Sequence, residues 1–378
     1  MISTDSQLDF TGQDIYVGLD IGQKSWKTCI LTKDFEHKTF TQPPNVEALV
    51  GYLHRQFPGA RYLSVYEAGY FGFWIHDELQ RRGVDNLVVH PADVPTTDKE
   101  KKNRNDRVDA RKLARHRRNG DLKPLYVPSR TALEDRSLVR TRAQMVQKQT
   151  RCKNQIKGLL AFYGVTIPDE IVSKHWSRRY LQSLESLTFQ RASGNQALTA
   201  LLDELKHLRQ TIAALTRQIR ALSRGEPYRI PVVNLVSIPG ISTLSAMILL
   251  TELVDIQRFR SPDHLASYVG LVPGEDSSSE KEVNTGISHR RNALLRVILI
   301  EASWVAVRKD PALLLAFSAL ARRMPKNRAI IRIARKLLNR IRYVLKHQQP
   351  YQPGIVKVDS GPKAPLGSRS LIESPCVG

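Results

Sequence analysis

Between Asp14 and His90 the apolar positions fall in short alternating runs separated by stretches with helical spacing. Asp14 to Asp20 (DIYVGLD) and Ser25 to Thr32 (SWKTCILT) read as two strands joined by a hairpin-like turn at Ile21-Gly22-Gln23-Lys24. A helix over Val46 to Arg55 leads to a strand at Leu63 to Glu67. A second helix, Phe71 to Arg82, stops at Gly83 and leads to a strand at Asn86 to His90. The order β-β-α-β-α-β predicts an α/β domain whose strands meet in one sheet. A polar, Pro-containing loop follows, then a very basic helical segment from about Asn105 to Arg118.

From Ser129 the pattern becomes one of long helices. Ser129 reads as an N-cap, and neither Pro nor Gly interrupts the chain until Gly158. After a break at Gly164 to Pro168 helical character resumes. Leu198, Leu201, Leu205, Leu208, Ile212, Leu215, Ile219 and Leu222 then alternate spacings of three and four without a miss. That pattern predicts a coiled-coil seam, whose partner is either the Ser129–Tyr163 helix folded back or another protomer. A single amphipathic helix lying on a globular core is the plainer alternative. A third, mostly helical region runs from about Ile230 to His347, and its last helix carries a basic face that includes Lys326, Arg328, Arg335 and Arg342. The tail after Gln349, rich in Pro, Gly and Ser, is expected to be disordered. The resulting scheme has four parts: 1–128, 129–228, 229–347 and 348–378.

Charge narrows the function. Lys and Arg number 58 against 36 Asp and Glu, a formal net charge of +22. A compact chain with that excess repels itself until a polyanion neutralises it, and each neutralised phosphate releases counterions. Nucleic acid is therefore the leading partner, against the alternative of a generally basic surface. Cys29, Cys152 and Cys376 are far apart and form no C-x-x-C pair, which argues against a disulfide framework or a zinc site and fits a reducing cytoplasm. No apolar run approaches the roughly 18 residues needed to span a bilayer. The N-terminus lacks the pattern of a signal peptide, so a cytoplasmic protein with no membrane partner is expected.

Candidate chemistry comes from four acids. Phosphoryl transfer between nucleic-acid strands needs charge neutralisation on the non-bridging oxygens and an attacking oxygen held in line, and divalent metals on hard oxygen ligands supply both. Asp20 ends the first strand and is followed by Ile21-Gly22; Glu67 ends a later strand and is followed by Ala68-Gly69. Both strand ends can present carboxylates to one sheet edge, with the glycines letting a phosphate backbone approach. Asp106 and Asp109 stand three apart, on one face of a helix, within a run dense in Lys and Arg whose Lys102, Arg104, Arg107, Arg111 and Lys112 are candidate nucleic-acid contacts. Surface ion pairs with those bases are the bland alternative for the second pair of acids.

The segments Tyr16-Val17-Gly18-Leu19-Asp20-Ile21-Gly22, Tyr66-Glu67-Ala68-Gly69-Tyr70 and Asn105-Asp106-Arg107-Val108-Asp109-Ala110-Arg111 resemble the DEDD transposase domain of the insertion sequence one-hundred-ten family, related to the Piv invertases. Ser237-Ile238-Pro239-Gly240-Ile241-Ser242 and Leu265-Ala266-Ser267-Tyr268-Val269-Gly270-Leu271-Val272-Pro273 resemble that family's second domain. The resemblance implies α/β plus all-α architecture: an RNase H-like domain of the RuvC type over 1–128, a central coiled coil, and a mostly helical C-terminal transposase domain. It implies that Asp20, Glu67, Asp106 and Asp109 bind Mg²⁺ (Mn²⁺ being possible). It further implies a nucleophilic serine after the G-L-x-P segment. There the sequence continues Gly274-Glu275-Asp276-Ser277-Ser278-Ser279-Glu280, so Ser277 matches best and Ser278 second, with Ser279-Glu280 where the family commonly has glycines.

A serine nucleophile makes chemical sense, because a phosphoserine bond conserves the energy of the broken phosphodiester and rejoining needs no nucleotide. The chain has no G-x-x-x-x-G-K-[ST] loop; Gly22-Gln23-Lys24-Ser25 is a turn. Arg258, Arg260, Arg290 and Arg291 are candidate phosphate clamps. Leu235 to Leu253 reads as helix, tight hairpin, helix, with Gly240 offering close backbone approach to a phosphate. The expected activity is site-specific DNA recombination that moves an insertion sequence, in a dimer or tetramer. The resemblance adds a structured guide RNA and a bacterial, nucleoid-associated location. Two rivals are a RuvC-like nuclease or junction resolvase with water as nucleophile, and a non-enzymatic coiled-coil nucleic-acid-binding protein.

Overall fold

The computed structural model describes residues 8–95, 106–165, 176–278, 281–287 and 291–354, excepting the side chains of residues 106, 107 and 273–287. The chain divides into two compact units, Met1–Pro128 and Ser129–Gly378.

The first unit is built on a five-stranded sheet in the order β3-β2-β1-β4-β5. Its strands are β1 (Asp14–Ile21), β2 (Trp26–Leu31), β3 (Glu36–Gln42), β4 (Arg61–Glu67) and β5 (Asp85–Val89). β1, β2 and β3 form an antiparallel meander, and β4 and β5 run parallel to β1 on its other side. Helices α1 (Val46–Gln56) and α2 (Trp74–Arg81) supply the crossovers. Asn45 caps α1, its side chain accepting from the Glu47 amide at 2.7 Å.

β1 alternates with a period of two, and each parity meets a different layer. Ile15, Val17 and Leu19 are buried with Val46, Leu49, Leu53, Ile75 and Leu79 of α1 and α2. The opposite face is covered by α3 (Asp106–Asn119), whose Ala110, Leu113 and Ala114 are buried at helical spacing. Gly18 lies under α3. A Cβ there would collide with the Ala110 carbonyl oxygen and crowd the Ala114 amide, so the helix rests on bare strand backbone.

Two local features differ from the expected order. β3 is an additional strand, and its sequence EHKTFTQ explains why the pattern hides it: it is a polar edge strand with a single large apolar residue. The helix expected from Phe71 starts at Trp74, because Gly72 takes φ +66° in a turn closed by its own amide on the Gly69 carbonyl at 3.2 Å.

The second unit is mostly helical. α4 (Arg130–Phe162) and α6 (Ala192–Leu222) pack against each other, with α5 (Arg178–Glu185) between them in sequence. The two long helices run antiparallel: Arg142 Nε donates to Thr216 Oγ1 at 2.8 Å, and Cys152 Sγ to the Leu201 carbonyl at 3.3 Å. Leu198, Leu205 and Leu208 of the heptad seam are buried against Cys152, Ile156 and Leu160 of α4, while Ile219 joins Val139 in the larger core. Within the chain, then, α4 folds back along α6, and the C-terminal part of α6 also lies on the larger core.

That larger core is formed by α7 (Arg229–Val236), α8 (Thr243–Leu253), α9 (Pro262–Val269), α10 (Ala293–Lys309), α11 (Pro311–Ala321) and α12 (Lys326–His347). Between α9 and α10 lies an antiparallel hairpin, β6 (Pro273–Ser278) and β7 (Lys281–Ile287). The hairpin is the non-helical part of a region expected to be mostly helical; its sequence is too polar to carry an alternating signal. α12 buries Ile330, Ile333, Leu337, Leu338 and Ile341 and turns its basic residues outward, though Arg340 and Arg335 are paired with Asp310 and Asp263. Among the described residues no helix is long and apolar enough to cross a membrane. Residues 355–378, most of the tail expected to be disordered, lie outside the described residues.

Candidate active site

Strand register brings the first two acids together. Leu19 pairs with Tyr66 across the parallel β1–β4 ladder, so Asp20 and Glu67 follow at the same level on neighbouring strands. Both share the parity of Gly18 and Val65, the face on which α3 lies. Asp109 stands one residue before Ala110, the helix position closest to Gly18. The result is a cavity of about 210 Å³ lined by Asp20, Glu67 and Asp109, with Leu19, Tyr66, Gly69, Tyr70 and Gly72 among its other walls. Asp106 begins α3 one turn before Asp109; its side chain lies outside the described set.

The floor of this cavity is tied down. The Ala68 amide donates to the Val89 carbonyl at 2.8 Å, and Tyr66 Oη donates to the Gly72 carbonyl at 3.1 Å. Burial pushes the Tyr66 phenol well above the ordinary tyrosine range, so it remains a donor. The two glycines singled out beside the acids differ. A Cβ on Gly69 would meet nothing within 4 Å, leaving room for an approaching backbone, whereas at Gly22 it would sit 2.7 Å from the Ser25 carbonyl that closes the turn.

Asp20, Glu67 and Asp109 supply hard oxygen, the donor chemistry that a divalent cation takes, although their side chains line the cavity without closing on a common point. Among the described residues no three His, Cys, Asp or Glu side chains converge closely enough to hold an ion. Cys29 and Cys152 are buried free thiols.

The basic residues sort into several groups. Lys112 Nζ sits 3.2 Å from Asp109 Oδ1 with its side chain 7% exposed, so it props the acid rather than facing outward. Arg111 is paired with Glu36 at 2.8 Å. Arg258 is stacked over Phe259 at 4.3 Å and Tyr268 at 4.7 Å, and its Nε donates to the Leu253 carbonyl. Arg260 and Arg291 are exposed. Lys102, Arg104 and Arg290 lie outside the described residues, as does the side chain of Arg107. Gly240 takes φ +92°, and its missing Cβ faces the Ala302 carbonyl of α10; what approaches there is helix backbone. Close by in sequence, the Ser242 cap of α8 opens on a second cavity of about 660 Å³ lined by Arg220, Arg224, Arg229 and Thr243.

Ser277 and Ser278 lie on β6, opposite Glu282 and Lys281 of β7; their side chains are outside the described set. The helix that follows this hairpin is anchored by a residue the sequence did not single out. Glu252 is fully buried and accepts from Arg140 at 2.6 and 2.8 Å and from Asn292 at 2.7 Å, and Asn292 in turn caps α10. Burial alone would raise the Glu252 pKa, but Arg140 and Asn292 overcome it and hold the carboxyl below its usual range. A lone Glu in the apolar run of α8 was the available signal.

Comparison with known proteins agrees with this architecture. A DEDD-type transposase family model for IS110 elements matches residues 17–165, and one described as Transposase IS116/IS110/IS902 family matches residues 233–318. The y4qE protein of Sinorhizobium fredii is 30% identical over 246 residues, covering 63% of this chain and 57% of that one. The transposase for insertion sequence element IS1111A of Coxiella burnetii is 29% identical over 265 residues, 67% of this chain and 70% of its own. The pilin gene-inverting protein of Moraxella lacunata is 31% identical over 164 residues, 40% and 49% of the two chains. With both family models matched in order, and the DEDD match spanning Asp20, Glu67, Asp106 and Asp109, the chain belongs to the IS110 family of transposases.

Proposed function

We propose that the chain is a site-specific DNA recombinase that moves an insertion sequence by cutting and rejoining strands. The cavity shared by Asp20, Glu67 and Asp109 carries this reading. Asp20, Glu67 and Asp109, with Asp106 one turn away, would hold Mg²⁺ or Mn²⁺. A bound divalent ion would neutralise the phosphate and polarise it toward attack. Lys112 holds Asp109 in place.

Ser277, or Ser278 as second choice, supplies the nucleophile. Its hydroxyl oxygen attacks phosphorus and gives up its proton, and the leaving strand departs as a free hydroxyl. A phosphoserine diester remains, and attack on it by another strand's hydroxyl regenerates serine and joins the new ends. The two units would then serve as acid and nucleophile modules of one recombinase, the nucleophile belonging to the 229–347 part of the chain. The net charge of +22 suits DNA together with a structured guide RNA, and the half-buried Ile212 and Leu215 of α6 suit assembly as a dimer or tetramer.

Trapping decides the nucleophile. Incubation with labelled element-end DNA and Mg²⁺ should yield a denaturation-resistant protein–DNA adduct that disappears in Ser277→Ala and persists in Ser278→Ala. The opposite pattern moves the role to Ser278. An adduct surviving both changes removes serine from the chemistry, and cleavage without any adduct makes water the nucleophile.

A further inference from the structure

The rim of the acid cavity carries an aromatic side chain that folding does not use. Tyr70 is 95% exposed, although Phe71 beside it packs on the core. It occupies the second position of the Gly69–Gly72 turn, which is closed by the Gly72 amide on the Gly69 carbonyl and held from beneath by Tyr66 Oη on the Gly72 carbonyl. Phe71, the third position, packs on the core beside α1 and α2, and the Tyr70 ring stands edge-on to it at 5.6 Å. The ring is thus mounted on a turn fixed at three points, beside Asp20, Glu67 and Asp109.

An exposed ring on a fixed mount offers a flat face to a flat ligand. Every nucleobase has such a face, and base–aromatic stacking tolerates any sequence. Within an intact duplex both faces of each base are covered by neighbouring bases, so only a nucleotide displaced from the helical stack can use the ring. We infer that Tyr70 is a stacking platform for an unpaired base, and that the acid cavity takes a phosphate flanking a nucleotide drawn out of the duplex. This rests on the reading of the cavity as a nucleic-acid site and adds the state of the strand it accepts.

The test uses the full chain and a duplex oligonucleotide carrying a short unpaired loop with 2-aminopurine in it, beside the same oligonucleotide fully paired. The wild type should quench the loop fluorophore on binding. Tyr70→Ala should abolish the quenching and weaken binding to the looped probe roughly ten- to hundredfold, the scale of one base–aromatic stack. Affinity for the paired probe should not change. Tyr70→Trp should restore both readouts. Phe35→Ala is the control, because Phe35 is an exposed aromatic beyond Leu31, at the far end of the β1–β2 hairpin from Asp20. Unchanged quenching in Tyr70→Ala, or equal losses on looped and paired probes, overturns the platform. Cleavage assayed separately with Asp20→Asn tells that outcome apart from failure of the cavity reading. If Asp20→Asn still cuts, the cavity reading falls whatever Tyr70 does.

Discussion

Carboxylates occupy opposite settings in the two units. In the first, Asp20, Glu67 and Asp109 line a cavity open enough for a ligand. In the second, Glu252 and Asp310 have fully buried side chains, each answered by an arginine: Arg140 on Glu252, and Arg340 on Asp310 at 2.7 Å. Tyr351 and the Leu313 amide complete the hydrogen bonds to Asp310. A buried ion pair with its lone pairs satisfied specifies packing, and removing one member leaves the other without compensation. Acids gathered at a cavity carry the converse meaning: they line space that a cation can enter. Residue type alone does not separate the two settings. Burial does: the Glu252 and Asp310 side chains are sealed from solvent, whereas the three acids of the first unit line an open cavity.

Conservative amide substitutions should split the units most widely. Asp20→Asn is expected to lower strand cleavage by roughly a hundred- to thousandfold, the scale of losing one charge stabiliser in a transition state. Its thermal midpoint should stay where the wild type's is. Glu252→Gln should do the reverse, lowering stability by about 2–3 kcal/mol; Arg140 is half exposed, so the cost falls below that of a fully buried pair. Cleavage rates and denaturant unfolding on both variants check this. An Asp20→Asn protein that unfolds early but cuts normally would erase the distinction.

A smaller effect tests how the first unit assembles its acids. Gly18→Ala places a methyl group against the Ala110 carbonyl, so α3 must lift from β1. Overpacking of this kind costs about 1–3 kcal/mol. The same displacement carries Asp109 away from Asp20 and Glu67, so activity should fall further than the loss of stability accounts for. Cleavage measured well below the variant's melting temperature separates the two losses. Full activity there would mean that α3 does not set the acid spacing.

Much of this was legible in the chain. The strands that carry Asp20 and Glu67, the D-x-x-D helix and the long helix through Leu198–Leu222 all follow from periodicity, since each has a buried apolar face. β3 and the β6–β7 hairpin were not, because polar strands carry no alternation to read. Lys112, a candidate nucleic-acid contact by sequence, sits against Asp109. Whether a lysine in a basic helix faces water or an acid depends on where the helix is seated, and Gly18 decides that. Gly240 was similarly read for phosphate, yet its close neighbour comes from α10, some sixty residues further along the chain, which no local motif reveals. Glu252 is marked only as a lone acid in the apolar run of α8; its partners, on α4 and at the start of α10, are as hidden from local sequence as the neighbour of Gly240.

The smallest expected effect is the pH dependence that the buried acids confer on the second unit. For both Glu252 and Asp310 burial pushes the pKa up, but hydrogen bonds and cationic partners outweigh it and hold the carboxyls below their ordinary values. A carboxyl with a folded-state pKa below the unfolded one stabilises the fold fully above the unfolded value and loses that contribution as pH falls through the folded one. With unfolded carboxyls titrating near roughly pH 4, the loss belongs to the acid side of that point. The Tyr351 phenol, pushed up to about 12 by burial and its bond to Asp310, stays protonated throughout and adds no slope there. Thermal midpoints recorded from neutral pH downward should therefore hold steady and then fall in acid. In Glu252→Gln and Asp310→Asn the curve should start lower and fall less steeply, since one titrating group is gone from each. An unchanged acid slope in both variants would mean that these two carboxyls do not control the unit's acid stability, and that the contrast with the open acid cavity is one of position alone.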